Sequence, residues 1–318
     1  MPKAKALHPQ WERFLKEFSN NLSKPSPEIP STRCLTRKTL VSLFSNIQEA
    51  LALPSTFPSG IEILRLLSSM GLASAIGTEK SEKKAPSKEF YLVGISASHD
   101  TTADPIEMLQ AYKPDGVICF FSALSYYELT TQFPPHHHIA TIVEPTLTTK
   151  AEQTRTNASS STKANYTVKL GSLAFSYQKI PFYTTKRSRN TIHGIKNRRF
   201  NPRTNIKITS KEQTLLDTLL YPLHCGGPEV IFEAWETHLD SLDERAFVDL
   251  LEAINSPPLT RRLGALLDFL GYNPKSELSH FLGKTREEIL RSTELTEISL
   301  LRGFHYSHIN PSWKVFTP

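Results

Sequence analysis

The sequence predicts an α+β protein: a helix-rich opening third that closes in two short strands, then a mixed α/β region whose C-terminal half is helical. Three observations carry this. Trp11, Phe14, Leu15 and Phe18 fall at i, i+3, i+4 and i+7, the spacing of one apolar helix face. Strand-like runs occupy 72–76 and 89–93 and return near 139–143, 166–170, 174–180 and 206–208. Beyond Thr209 the leucines resume helical spacing, as in Leu215, Leu216, Leu219 and Leu220.

Each element follows from local chemistry. The first helix cannot pass Lys24–Pro30, whose three prolines break helix geometry. A second helix is expected from Thr36 to about Leu53, stopped by Pro54 and Pro58. Ser59 and Glu62 have capping-box spacing and open a third helix. Ile63, Leu66, Leu67 and Met70 make its expected apolar stripe, and Gly71 suits a left-handed C-terminal cap. The two strands that follow are joined by the polar, lysine-rich 77–88. Three helices and a hairpin with a basic tip, over 1–95, are the order of a winged helix-turn-helix domain that reads DNA.

Residues 96–105 are a polar linker, and 106–318 form the second expected domain. It opens with a helix over 116–129 and a strand at 139–143. The Thr-, Ser-, Lys- and Asn-rich tract 146–164 has too little apolar surface to order itself and is a flexible insertion. Strands near 166–170, 174–180 and 206–208 precede a helix capped at Thr209–Glu212. Further helices fit 229–239, 243–254 and 259–270, the last ending at Gly271. The tail 272–318 gives no clear pattern.

Composition narrows the function. The chain has 318 residues, 37 Lys and Arg against 31 Asp and Glu, and a net charge of +6, which suits a polyanionic partner. The three cysteines, Cys34, Cys119 and Cys225, are isolated, and no disulfide framework is expected. No apolar run reaches the ~20 residues of a membrane span, and Met1–Gln10 carries no apolar signal core. A cytoplasmic protein without a membrane partner is expected. The phosphate-loop, dinucleotide, nucleophile-elbow and zinc-protease motifs are all missing, so no enzyme and no cofactor are expected. His136–His138 lack a nearby carboxylate or cysteine to complete a zinc shell, and they read as the start of a strand rather than a metal site.

Three stretches, in order, resemble the AbiEi family of antitoxins. Asp115–Pro134 (DGVICFFSALSYYELTTQFP) is similar to that family's SAL helix. Ile206–Gly227 (IKITSKEQTLLDTLLYPLHCGG) is similar to its V-T-x-x-E-R-T-L-x-D segment ending in a glycine pair. Arg261–Leu267 is similar to its RRLG helix. The resemblance implies a winged-helix domain that binds its own promoter, and a C-terminal antitoxin domain opposing a nucleotidyltransferase-like toxin in phage defence. Its motif residues here are Ser122, Ala123, Leu124, Glu212, Leu215, Asp217, Arg261 and Arg262; Gln213 stands where the family pattern has arginine.

The candidate DNA-reading residues are Arg65, Ser68 and Ser69 on the third helix, since a guanidinium grips guanine through two hydrogen bonds. Lys80, Lys83, Lys84 and Lys88 in the hairpin are candidates for phosphate contact. Nine basic and no acidic residues lie between Lys186 and Lys211. Arg187, Arg189, Lys196, Arg198, Arg199 and Arg203 in this run have three readings: a second nucleic-acid contact beside Phe182, Tyr183 and Phe200, a docking face for a toxin, or a solvated loop. Two other functions fit the sequence: a regulator without a toxin, using its second domain to dimerise or to sense a ligand, and a DNA-reading module fused to a nuclease.

Overall fold

The structure, a computed structural model, describes residues 9–77, 89–94, 102–144, 170–292 and 295–318. It is mixed α+β, with three sheets among the described residues. The chain divides into two compact units: Met1–Gly116 with Leu173–Phe182 and Asn197–Lys207, and Val117–Ser172 with Tyr183–Lys196 and Ile208–Pro318.

The first unit opens with α1 (Pro9–Asn21), β1 (Cys34–Thr36), α2 (Arg37–Ala50), α3 (Gly60–Ser69), β2 (Ala73–Gly77) and β3 (Glu89–Val93). Phe14 and Phe18 of α1 are buried against Leu40, Leu43 and Phe44 of α2 and Ile63 and Leu67 of α3. Thr36 caps α2 by accepting the Thr39 N–H at 3.2 Å. Gly60 lets α3 approach α2 closely: a Cβ there would stand 3.0 Å from Val41 Cγ1. Gly71, at φ +70°, turns the chain out of α3. Strand β3 is central in a three-stranded sheet, with Tyr91 opposite Leu35 of β1 and Ala75 of β2, both antiparallel. Cys34–Thr36 is too short to show a period in sequence, which is why β1 was not anticipated.

Helix α4 (Pro105–Tyr112) starts at Asp104, whose carboxylate accepts the Ile106 N–H, with Pro105 in the first turn. The polar tract 96–105 therefore ends as a helix cap. Glu107 on α4 is fully buried and compensated: Arg33 donates to it at 2.7 Å, Thr204 Oγ1 at 2.8 Å and Asn201 Nδ2 at 2.6 Å.

A six-stranded sheet is built from β4 (Val117–Ile118), β5 (His137–Val143), β6 (Ser172–Tyr177), β7 (Ile180–Ser188), β8 (Ile195–Asn201) and β9 (Thr204–Thr209), in the order β6-β7-β5-β4-β9-β8. Ile118 pairs antiparallel with Ile139 and parallel with Ile208. The helix expected over 116–129 is corrected here: β4 comes first, and α5 (Phe121–Tyr126) is short. Val117–Ile118 is apolar enough to fit either element, and sheet pairing decides it. The basic run is carried largely on strands, Arg187 on β7, Lys196, Arg198 and Arg199 on β8 and Lys207 on β9, with Arg189 in a 3-10 turn and Arg203 in the turn between β8 and β9. The expected strand at 166–170 and the insertion 146–164 lie outside the described residues except for Leu170, which is in no strand.

In the second unit α6 (Lys211–Leu220), α7 (Pro228–His238), α8 (Glu244–Ile254), α9 (Pro257–Phe269) and α10 (Ser276–Arg291) share a core with α5. Ser210, not Thr209, caps α6 by accepting the Gln213 N–H. Leu215, Leu216, Leu219, Trp235, Phe247, Leu263 and Leu266 fill the centre. The tail forms a small sheet of β10 (Ile298–Ser299), β11 (His308–Asn310) and β12 (Val315–Thr317), with β12 central.

Candidate nucleic-acid interface

Helix α3 presents an exposed face in the first unit. Its inner face is Ile63, Leu64 and Leu67, all buried. Leu66 and Met70, expected in the core, are 40% and 46% exposed, and Ile61 is 45% exposed. The apolar stripe is thus rotated from the expected one, because Leu64 takes the inward position. Arg65, Ser68 and Ser69 lie on the outward side with them. Ser69 donates its hydroxyl proton to the Leu66 carbonyl at 2.8 Å, so its oxygen faces outward as an acceptor. Sequence reasoning found the polar half of this face and missed the apolar half, since a leucine at helical spacing reads as core by default.

Glu62 also lies on this helix, and its charge is directed inward on itself. The Ser59 N–H and hydroxyl both donate to its carboxylate at 2.8 Å, which holds Glu62 below the usual carboxylate range. A groove of about 910 Å³ runs beside α3, lined by Gln48, Leu53, Phe57, Glu62, Arg65 and Leu66 among others. Lys80, Lys83, Lys84 and Lys88 lie outside the described residues.

The basic run does not behave as one surface. Arg189, Lys196, Arg198 and Arg199 are exposed. Arg203 turns inward in the first unit, where it donates to the Val93 carbonyl at 2.8 Å and to the Thr32 carbonyl. Arg187 is 2% exposed and belongs to the interior of the second unit. Of the three nearby aromatic residues, Phe182 is buried and stacks on Phe175 at 4.4 Å, while Tyr183 and Phe200 are half-buried. Alternation along a strand sends neighbours to opposite faces, so adjacency in sequence does not make one patch.

One motif residue of the second unit, Asp217, sits in a buried polar centre. Arg187 donates to both oxygens of Asp217, at 2.5 and 2.7 Å, and to the Thr191 carbonyl at 3.0 Å. Gln213 Nε2 adds a third bond to Asp217 at 2.9 Å. Burial pushes Asp217 upward, while Asp217 in turn holds the Arg187 guanidinium above its ordinary value against the cost of burial. The guanidinium lies 5.1 Å from the Phe120 ring and 5.2 Å from the Tyr221 ring.

Phe120 has φ +58° and ψ −134°, a conformation that strains a non-glycine residue. It is held there by rings on every side, His224 at 4.8 Å, Tyr221 at 5.2 Å and His138 at 5.4 Å. The turn it makes brings Ser122 under β5: Ser122 Oγ accepts the His138 N–H at 2.9 Å and lies 3.2 Å from His137 Nδ1. This serine–histidine pair is buried, with Ser122 fully so, and works as a clamp on the turn. Ala123 and Leu124 are buried beside it, and Leu215 in the shared core. Glu212 is half-buried at the start of α6.

Burial holds the neighbouring histidines neutral, with His137 and His224 pushed down to about 4 and His138 to about 2. His138 Nε2 and His136 Nδ1 are 3.1 Å apart, and His138 Nδ1 has no partner among the described residues. No group of three metal-ligating side chains is found among the described residues.

The RRLG motif grips the tail. Arg261, 4% exposed, donates to the carbonyls of Trp313 at 2.9 Å, Thr296 at 2.8 Å and Lys314 at 2.6 Å. Arg262 donates to the Ser299 carbonyl at 3.0 Å. Gly264 lies against the Trp313 indole, where a Cβ would stand 2.3 Å from Cζ2.

No family model matches this chain, and no curated protein matches it. Among solved structures it is similar to the RV2827C protein from Mycobacterium tuberculosis, with a TM-score of 0.51 and 12% identity, over 98% of this chain and 92% of that one. The likeness is one of fold alone. No described helix is long and apolar enough to cross a membrane.

Proposed function

We propose that this chain is a cytoplasmic, non-enzymatic DNA-binding regulator that represses its own promoter and opposes a nucleotidyltransferase-like toxin, as its resemblance to AbiEi antitoxins implies. Residues 1–95 act as a winged helix-turn-helix in this reading. The supporting observation is the order α1-β1-α2-α3-β2-β3, with β3 between β1 and β2, and an α3 whose outward side carries Arg65, Ser68 and Ser69.

In this mechanism α3 enters the major groove. The Arg65 guanidinium donates to guanine O6 and N7, the serine hydroxyls contact base edges or phosphates, and Leu66, Ile61 or Met70 meets a thymine methyl. The lysines of 80–88 follow the phosphate backbone. Occupation of the promoter blocks transcription, while the domain 106–318 supplies the antitoxin activity.

The test is a gel-shift titration with the duplex upstream of the gene against a scrambled duplex. The chain is expected to prefer the upstream duplex, and Arg65→Ala is expected to remove most of that preference. Equal affinity of the unaltered protein for both duplexes would reject promoter recognition. Co-expression with the neighbouring reading frame, scored for rescued growth and for co-purification, tests the antitoxin role and separates a direct complex from indirect antagonism.

A further inference from the structure

We infer that two copies of this chain associate, with Phe133 of one copy seated in a proline-lined basic cleft of the other. Phe133 is 95% exposed, an extreme value for a large aromatic side chain. Its loop is fixed rather than loose. The hydroxyls of Thr130 and Thr131 and the Thr131 N–H all donate to Glu233 of α7, at 2.5–2.8 Å, and Pro134 and Pro135 follow. A rigid loop has already met the ordering cost of docking, and an aromatic anchor on such a loop is the usual core of a protein interface.

The elements that carry and anchor this loop hold exposed acidic residues. Glu128, just before the loop, is exposed. Glu229 and Glu236 are also exposed and sit one turn to either side of Glu233 on the same face of α7. Among the described residues no basic side chain pairs with any of the three. The surface that fits is therefore an apolar pocket with a basic rim.

This chain carries one. In the first unit a cleft of about 440 Å³ is lined by Pro25, Pro27, Pro30 and Pro114, with Arg198 and Arg199 also in its wall. Lys207 lines it too, and no acidic residue does. Arg198 and Arg199 are on β8, an edge strand, where exposed cations discourage strand-to-strand pairing and leave side-chain docking as the mode of contact. A nucleic-acid strand in the cleft would account for the arginines but leave Phe133 and these acidic residues without a purpose. Self-association accounts for both, since the acidic residues of one copy meet the basic wall of the other. The inference does not depend on DNA binding.

The experiment is sedimentation equilibrium on the full chain without DNA, over a wide concentration range. The mean mass is expected to rise above that of one chain as the concentration increases. Phe133→Asp is expected to weaken association by at least about tenfold. Arg198→Glu/Arg199→Glu and Glu128→Arg/Glu229→Arg/Glu236→Arg are each expected to be monomeric alone and to associate when mixed, since each then offers the charge the other lacks. Circular dichroism checks that all variants fold. The inference is overturned if the unaltered chain stays monomeric, if Phe133→Asp associates as tightly, or if the mixture does not restore association. A monomeric chain whose arginine variant only loses nucleic-acid binding would assign the cleft to phosphate instead.

Discussion

Arg187 of β7 and Asp217 of α6, thirty residues apart, form a two-pronged ion pair with both side chains sealed from solvent. The position after Glu212, where the AbiEi-like pattern has arginine, is Gln213, and it reaches the same carboxylate. The charge partner of Asp217 thus arrives from a strand instead of from its own helix. Removing one member leaves the other charge buried and unpaired. Arg187→Ala is expected to cost about 3–5 kcal/mol in a urea titration, whereas Arg187→Met/Asp217→Leu is expected to cost much less. Equal losses in the two variants would mean that packing, not charge, sets the penalty.

Gly264→Ala is expected to destabilise the second unit strongly, because the new methyl group overlaps the Trp313 indole. Trp313→Ala is expected to lose about 3–5 kcal/mol. In the double variant the alanine methyl has open space, so its cost is expected to fall well below the sum of the two. Additive losses, measured by urea unfolding, would show that the two residues do not compete for one volume.

The buried histidines predict a pH dependence whose sign is fixed. Unfolded, each titrates near 6.5, whereas folding holds His137 and His224 at about 4 and His138 at about 2. Below pH 6.5 the unfolded chain therefore takes up protons that the folded chain refuses. Stability is expected to fall between pH 6.5 and 4, at up to about 1.4 kcal/mol per pH unit for each such proton. Urea midpoints at pH 7 and pH 5 measure the loss, and His138→Phe is expected to make it smaller. A variant with the unaltered slope would remove His138 from the account.

Lys83→Glu/Lys84→Glu is expected to weaken binding to every duplex alike and to flatten its salt dependence. Arg65→Ala is expected instead to change which sequence is preferred, by about 1–3 kcal/mol at one base pair. Gel-shift titrations at several salt concentrations distinguish the two patterns. Identical profiles would contradict a division between reading and positioning.

The sequence was most informative where chemistry is local. Ser59 with Glu62, Gly71, and the leucines of α6 and α9 announced their elements because caps, turns and helix faces involve only near neighbours. Val117–Ile118 was misread because two apolar residues acquire strand character only from partners at Ile139 and Ile208. Arg187 was misread for the same reason: nothing within its own strand reveals the carboxylate that waits thirty residues on. The tail escaped because β12 is defined by its pairing with β10 and β11, strands of two or three residues that are too short to show a period. Phe133 stood in the sequence beside two prolines, but only its exposure separates it from a core residue.

The inward turn of Arg187, Arg203 and Arg261 changes what the net charge of +6 means. These guanidiniums are committed to protein oxygens and have no counterions to give up. A polyanion approaching this molecule can form no direct ion pair with them, although their charge still adds to the field it meets. The number of ions released on binding will therefore count accessible cations alone, and that release reports how the chain has folded as much as what it holds.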